Sequence, residues 1–526
     1  MLTLLLAVVA VCLLALGRDS ASSQVFVEPL NISQSPFDTE EQVAKDQAGN
    51  FVAWLANKFE GDPSGYVRAC KLDDPAAPPT ECTSLPAAPG NAAFLSTAGA
   101  GDSRFVAWEQ YTTDIYSGEV RIVHSMDAGE MWSSPETIAT NAYRPRIVAH
   151  ENRVFAGYLD WNTGNAMVRQ GSPVGNGISW GVPVTIATGM WRMDLFMGED
   201  GTLVILTANA ATLQTNMVAD GESLPGQPQV IGNTGANYVD LVFINEQTGG
   251  VEFMPVLVYT DAPSQKLSVA CYGVGGWGQP VILGVNGPGL RNPDIAASGS
   301  EAYVVWDALA TDRFQVRGRY VGCDEEPPEL GEPLLLSDGE HNSFQPQVTI
   351  NGPRVYAAYN ESPVGDDENV DVRLLGGRLI DGSIQAPHPF DLTDVTASGN
   401  DFVAFMLVLA HANVNPGLAS QGGVADDKGA PFLHLFYYRV DAEGQSDIFW
   451  RLGLITGDTD CDATVDAVDA LQVLRETAGL PTGVECLPAG DVNCDGARTS
   501  VDALFILRHV AALLVTQPDN CSPIDL

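Results

Sequence analysis

Basic residues are scarce in this chain. Its 526 residues include 26 lysines and arginines against 66 aspartates and glutamates, so the formal net charge is −40. Nucleic acids and anionic membranes are bound by clustered basic side chains, and this balance therefore argues against both as partners. The acidic residues are scattered between short apolar segments, which favours a protein that works outside the cell.

Several motifs and long apolar runs are also missing. The seven histidines form no H-E-x-x-H pair, and the nine cysteines form no C-x-x-C pattern, so a zinc site is not expected. The one long apolar run covers residues 2–17 and is followed by small residues at 20–23. This run predicts a signal peptide over residues 1–23, secretion, and no membrane insertion after cleavage. An uncleaved anchor is the alternative.

Two segments near the C-terminal end repeat one pattern of oxygen-bearing side chains. GDTDCDATVDAVDALQVLRETAGL is followed thirty-three residues later by GDVNCDGARTSVDALFILRHVAAL. Loop positions 1, 3, 5, 9 and 12 offer side-chain oxygens, position 7 offers a backbone carbonyl, and an amphipathic helix follows. Hard cations such as Ca²⁺ need this set of ligands. The predicted ligands are Asp458, Asp460, Asp462, Thr464, Asp466 and Asp469 in loop 458–469, and Asp491, Asn493, Asp495, Ala497, Thr499 and Asp502 in loop 491–502.

This loop–helix duplicate resembles the type I dockerin, a calcium-dependent module that docks secreted proteins onto cohesin domains. Position 12 is aspartate where the ordinary EF-hand has glutamate, and no helix-forming stretch precedes either loop. The resemblance covers residues 457–515. It implies a small all-α domain over residues 456–526, two bound Ca²⁺ ions, and a cohesin-domain protein or scaffold as partner.

The resemblance also assigns a partner-binding surface. In dockerins, loop positions 10 and 11 meet the cohesin, and because the two copies are near-duplicates the module is expected to dock in either orientation. Those positions are Ala467, Val468, Ser500 and Val501. The leucines that follow at helical spacing are expected to form mainly the core between the two helices. These are Leu471, Leu474, Leu504 and Leu507.

The two loops differ at position 6, where a glycine-like turn is usual. Gly496 meets this need in the second loop, whereas Ala463 in the first is expected to cost about 1 kcal/mol of strain. Thr499 replaces an acid at position 9, so the second site carries less negative charge.

Cysteine usage agrees with secretion. One cysteine lies in the predicted signal peptide, which leaves an even number for an oxidising compartment. Repeat symmetry suggests the pairs Cys461–Cys486 and Cys494–Cys521, and Cys70 and Cys82 bracket a proline-rich loop that a third disulfide would close. The remaining two, Cys271 and Cys323, are either paired or separately buried.

The body of the chain, residues 24–455, repeats a short β-rich phrase such as FVAW, YVVW or VYAAY about every fifty residues. This period, with little helical periodicity, predicts a mainly β fold, a β-propeller with one four-stranded blade per repeat. Phrases such as RPRIV, NPDIA and QPQVT precede these strands. Seven or eight blades are expected, and a six-bladed propeller is the alternative. The anchors are Trp54, Trp108, Tyr158, Leu206, Tyr259, Trp306, Tyr359 and Phe405.

One repeat carries a sharper motif. Ser125, Asp127, Gly129 and Trp132 in SMDAGEMW match the Asp-box S-x-D-x-G-x-T-W, with methionine in place of threonine. The motif resembles the hairpin turn of sialidase-like propellers. There the aspartate accepts backbone hydrogen bonds and the tryptophan packs between blades, so the resemblance implies a structural role.

The sequence leaves catalysis undeclared, and the catalytic residues unknown. Sialidases need a clamp of three arginines, yet residues 31–50, where the first would stand, contain none. Most later arginines are expected at strand edges; Arg144 and Arg291 are candidates for a central funnel. Tyr111, Tyr116 and Trp161 are candidates for stacking on sugars, although packing between blades is the commoner role of such residues.

Two functions remain open. The first is a secreted propeller that binds a glycan or a protein and is tethered through its dockerin in an extracellular or cell-surface assembly. The second is a glycoside hydrolase or lyase on the same propeller, delivered to a polysaccharide-degrading assembly. Fold alone does not choose between them.

Overall fold

The computed structural model describes most of the chain. The described residues are 30–31, 39–45, 51–56, 66–72, 79–85, 91–111, 118–231, 235–245, 253–261, 264–273, 275–284, 290–324, 327–365, 370–380, 382–391, 400–409, 432–440, 446–482, 484, 486–518 and 521–526. They form two compact units, one within Pro29–Leu452 and one that contains Gly453–Leu526. The predicted signal peptide lies outside the described residues.

The first unit consists of eight antiparallel sheets. Strand β1 (Leu30–Asn31) belongs to the last of them. Blade 1 contains β2 (Thr39–Lys45), β3 (Phe51–Ala56), β4 (Tyr66–Lys71) and β5 (Thr80–Ser84). Blade 2 contains β6 (Asn91–Ala100), β7 (Ser103–Tyr111), β8 (Gly118–Ser125) and β9 (Glu136–Thr140). Blade 3 contains β10 (Ala142–His150), β11 (Arg153–Asp160), β12 (Ala166–Val174), β13 (Gly177–Trp180) and β14 (Val184–Ala187). Blade 4 contains β15 (Arg192–Met197), β16 (Leu203–Ala208), β17 (Leu213–Val218) and β18 (Gln227–Val230).

The remaining four blades follow the same order. Blade 5 contains β19 (Ala236–Asn245), β20 (Phe253–Asp261), β21 (Leu267–Gly273), β22 (Gly276–Trp277) and β23 (Val281–Gly284). Blade 6 contains β24 (Arg291–Ser298), β25 (Glu301–Ala310), β26 (Arg313–Gly322), β27 (Glu329–Leu330) and β28 (Leu334–Leu335). Blade 7 contains β29 (Asn342–Asn351), β30 (Arg354–Ser362), β31 (Asp371–Ile380) and β32 (Ser383–Asp391). Blade 8 contains β33 (Asn400–Leu409), β34 (Phe432–Val440), β35 (Ser446–Leu454) and β1.

The first strands of the blades form the inner ring of the propeller. Each packs beside the first strand of the next blade, and β33 packs beside β2, so the ring closes after eight blades. The predicted β-propeller is therefore confirmed, with eight blades. The last blade is completed by the N-terminal strand, because β1 pairs with β35 through Leu30 opposite Trp450 and Asn31 opposite Phe449.

The blades are held together by apolar side chains between neighbouring sheets. One such cluster joins Phe105 and Val120 of blade 2 to Ile147 and Val154 of blade 3. The repeated β-rich phrases supply these cores because alternate residues of a strand point to opposite faces, and both faces of a blade are covered. Seven of the eight predicted anchors lie in second strands and are buried, from Trp54 to Tyr359.

The eighth anchor was assigned to the wrong strand position. Phe405 lies in β33, which is the first strand of blade 8, whereas the other seven anchors lie in second strands. The second strand of blade 8 is β34, and residues 410–431 separate it from β33. This insertion breaks the period of about fifty residues that placed the anchor.

Carboxylates on the inner ring bond to the backbone of the next blade. Asp240 Oδ2 in blade 5 accepts from the Ile295 N–H in blade 6 at 3.1 Å. Asp294 Oδ2 in blade 6 accepts from the Val348 N–H in blade 7 at 2.6 Å. These bonds satisfy buried backbone donors at the β-bulges that interrupt the first strands, so the acids there serve the architecture.

The second unit contains two helices, α1 (Ala467–Thr477) and α2 (Ser500–Val510), and a 3₁₀ helix at Leu487–Gly490. The helices pack together around a small apolar core. The ends of this unit meet, because Thr456 N–H donates to Leu526 O at 3.0 Å and Asp525 N–H donates to Thr456 O at 2.8 Å. No helix among the described residues combines the length and apolarity that crossing a bilayer requires.

Four disulfides link the eight described cysteines. The three predicted pairs are present, Cys70–Cys82 in blade 1, and Cys461–Cys486 and Cys494–Cys521 in the second unit. The pair that the sequence left open also forms: Cys271 in blade 5 is bonded to Cys323 after the third strand of blade 6.

Candidate metal centre and docking surface

The two acidic loops share one hydrogen-bond frame around position 1. Asp458 accepts from the N–H groups of Asp462 at 3.2 Å and Ala463 at 2.9 Å. Asp491 accepts from the N–H groups of the matching residues, 495 and 496, at 3.2 and 2.9 Å. Both carboxylates are buried, so each loop coils around its first acid.

Position 12 joins each loop to its helix. Asp469 accepts from the N–H of Thr459 and from the N–H of Asp466, both at 2.7 Å. Asp502 accepts from the N–H of Asn493 at 3.2 Å and of Thr499 at 2.8 Å. The residue at position 9 caps the helix, and position 12 completes a capping box. The shorter aspartate at position 12 thus fixes the helix start and faces the loop.

The first loop gathers negative charge in a small volume. Asp458, Asp460 and Asp462 each offer an oxygen, and these oxygens lie within 4.8 Å of one another. Burial and the Asp469 carboxylate raise the pKa of Asp458 to about 8, and the same causes raise the pKa of Asp460 to about 6. Asp460 Oδ1 is buried and accepts no hydrogen bond. An orphaned oxygen among crowded carboxylates fits a hard divalent cation.

The second loop is less charged but has the same shape. Burial raises the pKa of Asp491, with the Asp502 carboxylate as a further cause. Asn493 stands at position 3, where its amide nitrogen donates to Asp495 Oδ2 at 3.2 Å and its Oδ1 accepts from the Asp495 N–H at 2.9 Å. The oxygens of the second loop suit the same type of cation and repel one another less.

The loops require left-handed backbone at two positions. Position 6 has φ of 65° at Ala463 and 84° at Gly496, so the predicted turn is present in both. Position 4 is also left-handed, with φ of 63° at Cys461 and 54° at Cys494. This second turn could not be predicted from the sequence, because cysteine has no preference for left-handed backbone. Each of the two disulfides of the second unit therefore has one cysteine with strained, left-handed backbone.

The four residues assigned to the docking surface lie at the helix starts. Ala467, Val468, Ser500 and Val501 are all exposed, with Val468 at 44% and Val501 at 47% of their full accessibility. The two valines occupy the same position in the two repeats, so the module presents two matching apolar points.

The leucines that follow were predicted to form the helix core, and this was wrong. Leu471, Leu474, Leu504 and Leu507 are exposed. The core instead contains Ala470, Val473, Ala503 and Ile506, one position earlier along each helix, together with Val492 and Ile524. The small alanines let the helices approach closely, and the helical phase turns the leucines outward. Each helix therefore exposes a stripe of a valine and two leucines.

A second group with metal-ligand atoms occurs in blade 7, but its members are already paired. His341 Nδ1 lies 2.5 Å from Asp338 Oδ2, and hydrogen bonding to that carboxylate raises the pKa of His341. Glu361 Oε1 accepts from Arg373 Nε at 2.8 Å. These contacts describe ion pairs.

The S-x-D-x-G segment of blade 2 forms the turn between β8 and β9. Asp127 Oδ1 accepts from the Ser125 hydroxyl at 2.7 Å and from the Met131 N–H at 2.9 Å. Ser125 Oγ accepts from the Gly129 N–H at 2.8 Å. Trp132 lies edge-on to Phe51 of blade 1, with ring centroids 6.2 Å apart. These contacts fix the turn and bridge two blades.

The two candidate arginines for the central funnel lie near the starts of first strands, in the inner ring. Arg144 is exposed at a bulge of β10, and its Nη1 donates to Trp191 O at 3.0 Å. Arg291 is paired with buried Asp307, Nε to Oδ1 at 3.0 Å. Arg354 is one of the later arginines and is 2% exposed, in contrast to the strand-edge position expected for most of them. Arg146 and Arg192 both pair with buried Asp194, at 2.6 and 2.7 Å.

Of the aromatic candidates, Trp161 is exposed, and Tyr116 lies outside the described residues. Tyr111 bonds through its side chain to Glu109, and burial raises the pKa of that glutamate. Two further exposed aromatics, Trp191 and Tyr238, were missed. Both stand at the start of a first strand, a position that the sequence period could have flagged.

Comparison with known proteins identifies the second unit. Residues 456–511 match the family described as Dockerin type I domain. No curated protein matches the chain.

Solved structures with a similar chain path include propellers of several kinds. The β-propeller domain of the Trilobed protease from Pyrococcus furiosus is 10% identical, with 68% of this chain and 99% of that chain covered and a TM-score of 0.37. Trypanosoma rangeli sialidase in complex with sialic acid is 8% identical, with 84% and 93% covered and a TM-score of 0.34. Oligopeptidase B from Trypanosoma brucei is 11% identical, with 78% and 54% covered and a TM-score of 0.40.

Likenesses at these scores carry no argument about function. The match over the acidic loops does, because type I dockerins bind calcium and dock onto cohesins. The chain therefore carries a type I dockerin domain at residues 456–511, C-terminal to an eight-bladed β-propeller.

Proposed function

We propose that this protein is a secreted adaptor. Its dockerin takes up two Ca²⁺ ions and docks the propeller onto a cohesin-bearing scaffold in a polysaccharide-related assembly, where the propeller serves as a glycan- or protein-binding module. The observation that carries the proposal is the duplicated loop frame, in which positions 1 and 12 take the same backbone hydrogen bonds in both copies.

Calcium supplies the positive charge that the loops lack. The side chains that would hold it are Asp458, Asp460, Asp462, Asp466 and Asp469 in the first loop, and Asp491, Asn493, Asp495, Thr499 and Asp502 in the second, with the carbonyls of Thr464 and Ala497. The second ion is proposed because the second loop repeats the frame of the first around a buried carboxylate. Acids with a raised pKa in a buried loop favour uptake of a divalent cation.

We propose that the dockerin binds a cohesin through the N-terminal end of one helix at a time. Ala467 and Val468, or Ser500 and Val501, would meet the cohesin, and the exposed leucines extend each surface along its helix. An apolar centre rimmed by polar groups is the usual composition of such a contact. The matching of the two stripes supports docking in either orientation.

A direct test uses the full chain and a panel of recombinant type I cohesin domains, immobilised for binding measurements with calcium and with chelator. We expect binding to at least one cohesin in calcium and none in chelator. The double variant Asp458→Asn with Asp491→Asn should lose binding. Asp312→Asn, at an exposed acid of the propeller, is the matched control and should bind normally. Equal binding in chelator would contradict the proposal.

A hydrolase or lyase is the competing function. Glu109 has a raised pKa, as a general acid needs, but it is 2% exposed, and its Oε2 accepts from the Arg144 N–H at 3.1 Å. This position supports a structural role at the bulge. Assay of the purified protein against polysaccharides and sialosides decides the point, since release of new sugar ends would put the enzyme first.

A further inference from the structure

Three exposed aromatic side chains lie at the same end of three consecutive blades. Trp161 follows β11 in blade 3, Trp191 precedes β15 in blade 4, and Tyr238 lies near the start of β19 in blade 5. Their accessibilities are 39%, 45% and 36%, and among the propeller aromatics whose side-chain burial is described no other is as exposed. Neighbouring strands are antiparallel, so second strands end where first strands begin. We call this end of blades 3–5 the aromatic face.

The backbone that carries the two tryptophans is held firmly. Asp160 Oδ1 accepts from the N–H groups of Asn162 at 3.0 Å and Thr163 at 2.9 Å, which fixes the turn around Trp161. The Met190 N–H, next to Trp191, donates to Gly164 O in that same turn at 2.7 Å. Hydrogen bonds therefore join the two segments that carry Trp161 and Trp191, and a ligand would meet a preformed surface.

Polar groups stand beside these rings. The Trp161 ring lies edge-on to Tyr143, with centroids 4.5 Å apart. Exposed Arg144 is placed by its Nη1 bond to Trp191 O at 3.0 Å and by the Phe94 ring, 5.6 Å from its Cζ. Its guanidinium carries further N–H donors in a planar array. Rings next to fixed donors offer both stacking and hydrogen bonding.

The composition of the aromatic face favours a sugar over a protein. A stable protein interface buries about 800 Å² on each partner, which is more than three separate, partly exposed rings supply. The exposed aliphatic side chains of the same blades lie elsewhere, on third and fourth strands or between them. They are Val174, Val182, Val230 and Ile282. The aromatic face thus exposes rings among polar groups, which matches the apolar C–H faces and hydroxyl edges of a pyranose.

The net charge favours a neutral sugar. At −40, the chain repels polyanions at long range, and exposed Arg144 does not reverse that field because nearby Arg146 and Arg192 share the carboxylate of Asp194. Resting on the proposed role of the propeller as a binding module, we infer that the aromatic face binds a neutral polysaccharide chain laid across blades 3–5. Sugar rings stack on Trp161, Trp191 and Tyr238, and Arg144 donates hydrogen bonds to hydroxyls.

The test is affinity electrophoresis and calorimetry of the full-length protein with soluble neutral polysaccharides (β-glucan, xyloglucan and galactomannan) and, as the acidic arm, polygalacturonate. We expect retardation by at least one neutral polymer that persists in high salt. Trp161→Ala and Trp191→Ala should each weaken it about tenfold, and the pair should abolish it. Trp180→Ala, at a half-exposed tryptophan on a fourth strand of blade 3, is the matched control and should bind normally.

The outcomes separate the inference from the proposed function. Neutral binding that survives both tryptophan changes would overturn the assigned face but leave a glycan-binding propeller. Binding only to polygalacturonate, lost on Arg144→Ala or in high salt, would overturn the neutral ligand. Binding to no polysaccharide, with cohesin docking intact, would overturn the inference while the dockerin function stands. Circular dichroism and thermal unfolding of each variant guard against misfolding.

Discussion

The two acidic loops of the dockerin are built alike and charged differently. Each wraps a buried aspartate with two backbone N–H groups and ties its last aspartate to the helix cap. The first loop has five carboxylates, whereas the second replaces two of them with Asn493 and Thr499. The first also places Ala463 where the second has Gly496. Backbone geometry is thus set by the frame, while the side chains adjust charge and strain separately in each loop.

The backbone shape of the loops and their affinity for a cation are therefore specified by different residues. Burial, together with repulsion from Asp469, raises the pKa of Asp458 to about 8, and that repulsion destabilises the metal-free first loop and favours a bound cation. The second loop has fewer carboxylates, so its metal-free form is less destabilised by repulsion and a bound cation stabilises it less. Four experiments test how the two loops and their helices differ.

Removal of calcium should have the largest effect. At calcium concentrations a hundred times the dissociation constant, each site adds about 2.7 kcal/mol to the free energy of unfolding. Chelation should therefore reduce helical circular dichroism and increase hydrogen exchange over residues 456–526, while the propeller is unchanged. The disulfides will retain part of the fold, so a reduced sample is measured in parallel. Unchanged exchange in both samples would contradict calcium-dependent folding.

Docking should survive damage to one helix but not to both. Val468→Asp or Val501→Asp alone should change cohesin affinity by a factor of about two, because the module can turn and present the intact face. The double variant should lose binding, since a carboxylate buried without a partner costs about 3–5 kcal/mol. Surface binding assays with a cohesin check this. Loss of binding in one single variant would show that only that face is functional.

The two sites should differ in affinity. We expect the first loop to bind Ca²⁺ more tightly, because its five carboxylates contribute more than Ala463 removes. In calorimetric titration, Asp491→Ala should therefore keep the tighter site and Asp458→Ala the weaker one, with dissociation constants that differ by roughly tenfold or less. The reverse order would mean that turn strain outweighs charge.

Exchange of the position 6 residues should have the smallest effect and opposite signs. Ala463→Gly relieves a residue at φ 65° and should raise dockerin stability by about 0.5–1 kcal/mol. Gly496→Ala should lower it by a similar amount, although a Cβ there would meet no atom within 4 Å. Thermal unfolding in calcium compares the two variants with the parent. Equal effects of the same sign would exclude backbone strain as the cause.

The dockerin loops were predictable because their ligands are local. A cation site made from twelve consecutive residues appears in the sequence at fixed spacing, and duplication removes the ambiguity of one copy. The helix faces were harder to assign. Leu471 and Ala470 are neighbours, and only the packing of α1 on α2 decides which of the two is buried.

The propeller was predictable where its period holds. Seven anchors fell in second strands because each repeat makes one blade, and the eighth failed where residues 410–431 were inserted. Of the aromatic face, only Trp161 was identified in the sequence, although the period places Trp191 and Tyr238 near the starts of first strands. Trp191 and Tyr238 are exposed because they lie where first strands of the propeller begin, whereas Trp54 and Trp108 are buried inside blades. Residue type alone does not distinguish the exposed aromatic residues from the buried ones.

The N-terminal strand that completes blade 8 has a mechanical consequence. Strand β35 ends at Leu454 and the first acidic loop begins at Asp458, so residues 455–457 join the two along the chain. Tension on the anchor enters the propeller along β35. On one side that strand is held by β34, and on the other it pairs, among the described residues, with Leu30 and Asn31 of β1. Under tension, closure of the ring therefore depends on the pairing between β1 and β35.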